Sequence, residues 1–175
     1  MSVDEGFWAW LDLSRTYAGV ARHLERQLRP LGLTLAYAEV LVRLGQAPQG
    51  QLRVVELGQK VFLTKSGVSQ LVTRMMAAGL LQRLPDHHDQ RARIVTPTHA
   101  GWAKLVAAVP VFQATVLENF TAALDERALS DMRRALGAVI SALGEEPEST
   151  VVPRPGGTNA PEDPRMAVPP TRSTP

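Results

Sequence analysis

From Phe7 to Leu31 the apolar positions Leu13, Tyr17, Val20, Leu24, Leu28 and Leu31 recur every three or four residues, the period of a helix with one buried stripe. Pro30 and Gly32 end that pattern, and Thr34 is placed to cap a second helix carrying Leu35, Ala38, Val40, Leu41 and Leu44. Ala47-Pro48-Gln49-Gly50 reads as a turn. Beyond it, Leu52 to Lys60 forms one short helix and Leu63 to Met76 leads into a second. In the latter, Val68, Leu71, Val72, Met75 and Met76 share one face, while Lys65, Ser66, Ser69, Gln70 and Thr73 fall on the opposite face. Thr64 caps this helix, and Gly79-Leu80 ends it with a C-terminal glycine.

Two short extended runs follow, Leu80 to Leu84 and Arg91 to Thr96, around the polar loop Pro85-Asp86-His87-His88-Asp89-Gln90, so they predict a hairpin. Pro97-Thr98 then opens a long helix with Trp102, Leu105, Val106, Val109, Phe112, Val116, Leu117 and Phe120 on one broad face. Pro110 lies inside it and is expected to kink it or split it in two, because proline lacks the N–H and crowds the preceding turn. A last helix, about Glu126 to Leu143, carries the stripe Leu129, Met132, Leu136, Val139, Ile140 and Leu143. After Gly144 the pattern stops. Residues 144–175 hold eight of the thirteen prolines and no aromatic residue, a composition expected to stay disordered because it buries too little apolar area.

Composition narrows the class. A chain of 175 residues with 45% apolar content is enough for one domain with an appendage. The absence of cysteine excludes disulfides, thiolate zinc sites and thiol redox chemistry in this chain. No apolar run approaches the roughly 18 residues that span a bilayer. Met1 to Asp12 is acidic and aromatic rather than basic then apolar, unlike a secretory signal. A cytoplasmic protein, nucleoid-associated when bound to DNA and without membrane contact, is therefore the expectation.

Charge is unevenly spread. Residues 51–93 hold seven Lys and Arg (Arg53, Lys60, Lys65, Arg74, Arg83, Arg91, Arg93) against Glu56, Asp86 and Asp89. That segment carries an excess of +4 in a chain whose net charge is +2. Such focusing is the footprint of a polyanion-binding face, although a solvated charged surface has the same composition. Short hydroxyls and an amide opposite an apolar stripe suit base edges in a major groove. Gly58 and Gly67 are expected to face inward and let the two short helices cross closely, as a helix-turn-helix requires. Arg91 and Arg93, two apart on a strand, project from one face and can enter a narrow minor groove. Asp89 is placed to brace the loop by pairing with Arg91 or Arg74.

At these residues the chain resembles the MarR family of winged helix-turn-helix transcriptional regulators. The resemblance runs over roughly residues 10–143. It rests on Leu31-Gly32-Leu33-Thr34, on Leu52 to Lys60, and on Leu63 to Arg74 as recognition helix. Gly79-Leu80-Leu81-Gln82-Arg83, the Asp89-Gln90-Arg91 of the wing and Pro97-Thr98-His99-Ala100-Gly101 complete it. Pro97 stands where the family usually has leucine, and no glycine follows Arg91.

The fold so implied is mainly α with a small β-hairpin wing, flanked by N- and C-terminal dimerisation helices. Residues 1–143 would be the domain, its DNA-reading part about 35–97 and its dimerisation helices about 7–31 and 98–143. The implied function is that of a homodimeric repressor, with no enzymatic activity, on an inverted-repeat operator in double-stranded DNA. The contacts expected are Thr64, Lys65, Ser66, Ser69, Gln70, Thr73, Arg74, Arg91 and Arg93.

Many relatives release DNA on binding a small aromatic or phenolic effector. Trp10, Tyr17, Tyr37, Arg43 and Trp102 are the residues to test for such a pocket, although Tyr17 and Trp102 lie on helical stripes and fit a core role better. No cofactor is implied, and no metal, because adjacent His87 and His88 rarely reach one ion together. The alternative is a winged-helix protein-interaction module without specific DNA binding.

Overall fold

The computed structural model describes residues 3–61, 63–85 and 93–144. Among these residues, six α-helices and one small sheet follow in the order α1 (Val3–Leu28), α2 (Leu35–Gln46), β1 (Leu52–Arg53), α3 (Val54–Lys60), α4 (Lys65–Ala77), β2 (Leu81–Pro85), β3 (Arg93–Pro97), α5 (His99–Asn119) and α6 (Glu126–Ala142). The core is one apolar cluster. Leu24 and Leu28 come from α1, and Ala38, Val40, Leu41 and Leu44 from α2. Leu57 of α3, Val68, Leu71, Val72 and Met75 of α4, Val95 of β3, and Leu105, Ala108 and Val109 of α5 join them, with Leu33, Leu35, Ala47, Leu52, Leu80 and Leu81.

Most helix starts have a polar reason. Thr34 accepts the Tyr37 N–H at 3.2 Å, and the Glu25 carboxylate of α1 accepts the Leu35 N–H at 3.0 Å, so α1 helps to seat α2. Thr64, Thr98 and Asp125 cap α4, α5 and α6 in the same way. Glu56 reaches back to accept the Arg53 N–H at 3.0 Å at the start of α3. At the end of α4, Gly79 takes φ 71°, where L side chains are strained, and the Leu80 N–H returns to the Met75 carbonyl at 2.9 Å.

The structure departs from several expectations. Leu52 and Arg53 are not helical. They pair with Val95 and Ile94, making β3 the centre of an antiparallel sheet ordered β1-β3-β2 rather than one arm of a simple hairpin. Two residues are too few to show an alternating pattern, so only the pairing reveals this strand. The first helix starts at Val3, ahead of Phe7, and ends at Leu28, with Arg29–Leu31 in a 3-10 turn that accommodates Pro30.

Pro110 does not split the long helix: α5 continues from His99 to Asn119, its buried Leu105, Ala108, Val109 and Thr115 on the side that meets α1 and α2. By length and composition the stretch His99–Ala123 is apolar enough to cross a bilayer, contrary to the reading from uninterrupted runs. Its buried face packs in the protein core, the ordinary reason for such a helix in a globular fold.

The crossing of α3 and α4 is also built differently. Gly58 is buried, and a Cβ there would lie 3.0 Å from Val68 Cγ1, so its bareness does allow the close approach. Gly67 faces Thr64 and Leu63, the capping segment of its own helix, and not α3. Helical offset places Gly67 beside the apolar stripe, but the chain folding back before Thr64 fills that space first.

Gly101 is the tightest glycine among the described residues. A Cβ there would lie 2.1 Å from the Leu80 carbonyl oxygen and 3.0 Å from Pro97 Cβ. Because the obstruction is backbone, Gly101→Ala is expected to cost about 1–3 kcal/mol of stability through overpacking. Urea unfolding at fixed protein concentration measures it; a destabilisation below about 0.5 kcal/mol would mean that the turn relaxes freely.

Candidate nucleic-acid interface

The amphipathic division of α4 is complete on the described surface. Val68, Leu71, Val72 and Met75 are buried, and Lys65, Ser66, Ser69, Gln70, Thr73 and Arg74 are exposed. The apolar side clamps the helix to α3 and β2 and so fixes which residues face out. Thr64, also exposed, is committed to the cap: its Oγ1 accepts the Gly67 N–H at 3.2 Å and lies 3.2 Å from Ser66 Oγ. Thr73 donates to the Ser69 carbonyl at 2.8 Å. Ser69, Gln70, Thr73 and Arg74 line a shallow concavity of about 340 Å³ on this face.

The sheet carries the second basic element. Arg93 opens β3 opposite Pro85 and is exposed, while Val95, two residues on, is buried. Arg83 is exposed on β2. Asp89 and Arg91, the expected brace and tip of the wing, lie outside the described residues, as do His87 and His88. The Pro-rich segment from residue 145 onward also lies outside them.

The wing and α4 are tied to the long helix at one place. Thr98 donates its hydroxyl to the Gly79 carbonyl at 2.6 Å and accepts the Gly101 N–H at 3.1 Å, while its backbone N–H bonds the Leu80 carbonyl at 3.0 Å. Thr98 is not among the expected site residues. Its place in the post-wing Thr-x-x-Gly spacing is the signal that marks it.

The five residues expected at an effector pocket are spread over α1, α2 and α5. Trp10 and Tyr17 are 64% and 65% exposed, so Tyr17 is not the core residue its stripe predicts. The stripe continues past the point where α2 and α5 cover α1: Leu24 and Leu28 are buried, Val20 and Leu31 are half-buried against the core, and Leu13 and Tyr17 are exposed. Tyr37 and Trp102 are half-buried against the core, and Trp102 lies so close to Gly50 that a Cβ there would sit 2.5 Å from the indole ring. The Trp102 indole nitrogen is buried without a hydrogen-bond acceptor among the described residues. A larger surface concavity, about 480 Å³, is lined by Ala21, Arg22, His23, Glu25, Arg26 and Leu35, and by none of the five.

Tyr17 and Arg43 do meet electrostatically at Glu39, a residue that periodicity does not single out. Burial raises the Glu39 pKa above its ordinary 4.5, Arg43 partly offsets this, and Glu25 adds to it. Burial lowers the Arg43 pKa, against the pull of Glu39. Burial, then Glu39, raises that of Tyr17. Among the described residues no group of three or more His, Asp or Glu is placed to hold a metal ion.

A capped, amphipathic helix with a polar outer face, preceded by a short crossing helix and followed by a basic sheet, defines a winged helix-turn-helix protein. Residues 31–92 match the MarR family, and the chain as a whole has the fold of MarR family transcriptional regulators. AbsC, a MarR family transcriptional regulator from Streptomyces coelicolor, is 26% identical over 82% of this chain and 97% of its own, with a TM-score of 0.75. Sco3205 from the same organism, solved in complex with DNA, is 24% identical and superposes at 0.74 over 87% of this chain and 97% of its own. A mutant MarR from E. coli, complexed with operator DNA, is 22% identical with a TM-score of 0.71, covering 80% of this chain and 99% of its own. At those two identities the likeness is one of fold. No curated protein matches the chain in sequence.

Glu39 supplies a pH prediction. Its folded pKa lies above its unfolded one, so its stabilising contribution is present below about pH 4.5 and lost as pH rises through the folded value. Relative to Glu39→Gln, the unaltered chain is expected to lose stability as pH rises above about 4.5. Paired urea titrations across that range check it, and a difference independent of pH would contradict it.

Proposed function

We propose that the chain is a sequence-specific, DNA-binding transcriptional regulator that works as a homodimeric repressor. The observation that carries this reading is the outer face of α4, where Lys65, Ser66, Ser69, Gln70, Thr73 and Arg74 stand exposed on a helix whose other side is locked into the core. Short polar side chains on a rigid helix suit base edges, and the flanking Lys65, Arg74 and Arg93 suit phosphates. Arg91 and Asp89 extend the proposal into the wing as a minor-groove contact and its brace. Two solved proteins of this fold are held on DNA, which supports the same use of the face here. No catalytic step belongs to this reading.

Dimerisation is supported by apolar surface left bare on the flanking helices. Phe7, Trp8, Trp10, Leu13 and Tyr17 on α1, Val106 and Leu117 on α5, and Val139 and Leu143 at the end of the chain's last helical stripe are all exposed. The helix α6 has no buried residue and packs only marginally on the other described elements. Its stripe Leu129, Met132, Leu136 and Ile140 is half-covered. Contiguous apolar area of this kind usually marks association. A two-fold pair would set two α4 helices about 34 Å apart, one turn of duplex, and so read an inverted repeat.

The binding experiment is a salt titration of the full chain on a selected duplex, with its mass measured in parallel. The expected results are a particle of twice the 19.0 kDa chain mass and an affinity that falls with salt. Lys65→Ala and Arg91→Ala should each lower the log–log salt slope by roughly 1 for each phosphate no longer neutralised. Absence of binding to any duplex at low salt would instead favour a protein-interaction module.

The effector belongs to the proposal through Trp10, Tyr17, Tyr37, Arg43 and Trp102. Its support is the meeting of Tyr17 and Arg43 at the half-buried Glu39, where α1 and α2 pack together. A panel of phenolic acids is expected to include one that raises the thermal midpoint and weakens operator binding. No shift with any member would remove the phenolic reading.

A further inference from the structure

The hydroxyls on the outer face of α4 are not equivalent. Thr64 and Ser66 are engaged with each other, and Thr64 also accepts the Gly67 N–H that it caps. Thr73 donates its single hydroxyl proton to the Ser69 carbonyl one turn back, at 2.8 Å. A hydroxyl whose proton is held by its own helix cannot also donate to a base. Ser69 and Gln70 are different: neither side chain makes a hydrogen bond among the described residues, both are exposed, and both lie in the concavity formed with Thr73 and Arg74.

Gln70 is also the one amide on that face. A primary amide offers donor and acceptor side by side, and adenine alone presents N7 as acceptor beside N6 as donor in the major groove. Position adds to chemistry. Gln70 lies four residues after Ser66 and four before Arg74, on one strip of the helix, with Lys65 at the N-terminal end and Arg74 near the C-terminal end. Charged ends can hold phosphates while the amide between them reaches the base edges.

We infer that Gln70 is the specificity-determining residue of this face and reads an adenine in each half-site. The inference rests on the DNA-binding reading above and adds to it which residue discriminates and for which base.

Selection of bound duplexes from a random pool tests it, with the full chain as it stands and as Gln70→Ala and Gln70→Glu. The unaltered chain is expected to select an inverted repeat with one strongly preferred adenine per half-site. Gln70→Ala should lose that preference alone and weaken binding to the selected site about 10- to 100-fold. Gln70→Glu, an acceptor without a donor, should shift the same position towards cytosine. Circular dichroism checks that each exposed substitution leaves the fold intact.

A selected repeat whose preferences are identical for the unaltered chain and Gln70→Ala would overturn the role of Gln70 while leaving the DNA-binding reading intact. Failure of the unaltered chain to enrich any sequence would overturn both.

Discussion

The contact on which the arrangement depends is the junction of Thr98 and Gly101 with Gly79 and Leu80. One threonine hydroxyl donates to the Gly79 carbonyl and accepts the Gly101 N–H, and the bare Gly101 lets α5 start directly beneath the Leu80 carbonyl. Gly79 ends α4, Leu80 enters β2, and Thr98 opens α5, so α4, the wing and the long helix are joined within a few residues. A side chain at Gly101 would push α5 away from the turn and with it every angle between the reading unit and the helices that flank it.

That junction explains how a small helix can be presented with fixed geometry. The inner face of α4 is held by Val68, Leu71, Val72 and Met75, and its end is held by the glycine turn that Thr98 secures. The outer side chains therefore need only local order to be aimed. Within that face a second layer of constraint operates. The Thr73 hydroxyl spends its one proton on its own helix, so it can accept from a ligand but not donate to it. Stability and recognition thus compete for the same polar atoms along one strip.

The flanking helices follow a different logic. In α5 the buried residues come from a face that α1 and α2 cover, whereas among the described residues the first half of α1 stays exposed and α6 has no buried residue. Their stripes are as regular as that of α2, yet Leu44 is buried and Leu143 is 73% exposed. Periodicity states that a face is apolar; what lies against it is a separate matter.

Much of this was legible in the sequence, and the exceptions have specific causes. Local signals sufficed for α2, α4 and α6: residues able to cap at Thr34 and Thr64, the glycine stop at Gly79, and stripes at helical spacing all act within a few residues. The exposed polar face of α4 followed from the same spacing, since the apolar stripe leaves only one side to face out. What depended on distant partners was not legible. Leu52 and Arg53 became a strand because β3 offered an edge, and Pro110 stayed within one helix whose buried face packs along α1 and α2. Gly67 turned to its own cap instead of α3, Tyr17 was left uncovered, and Glu39 was half-buried beside Arg43. The sequence by itself determined which segments are helical and which of their faces are apolar, because those follow from neighbours three and four residues away. Only the tertiary structure decided which apolar faces are covered, which glycines carry a crossing and which polar groups stay free, because each depends on atoms brought near by the fold.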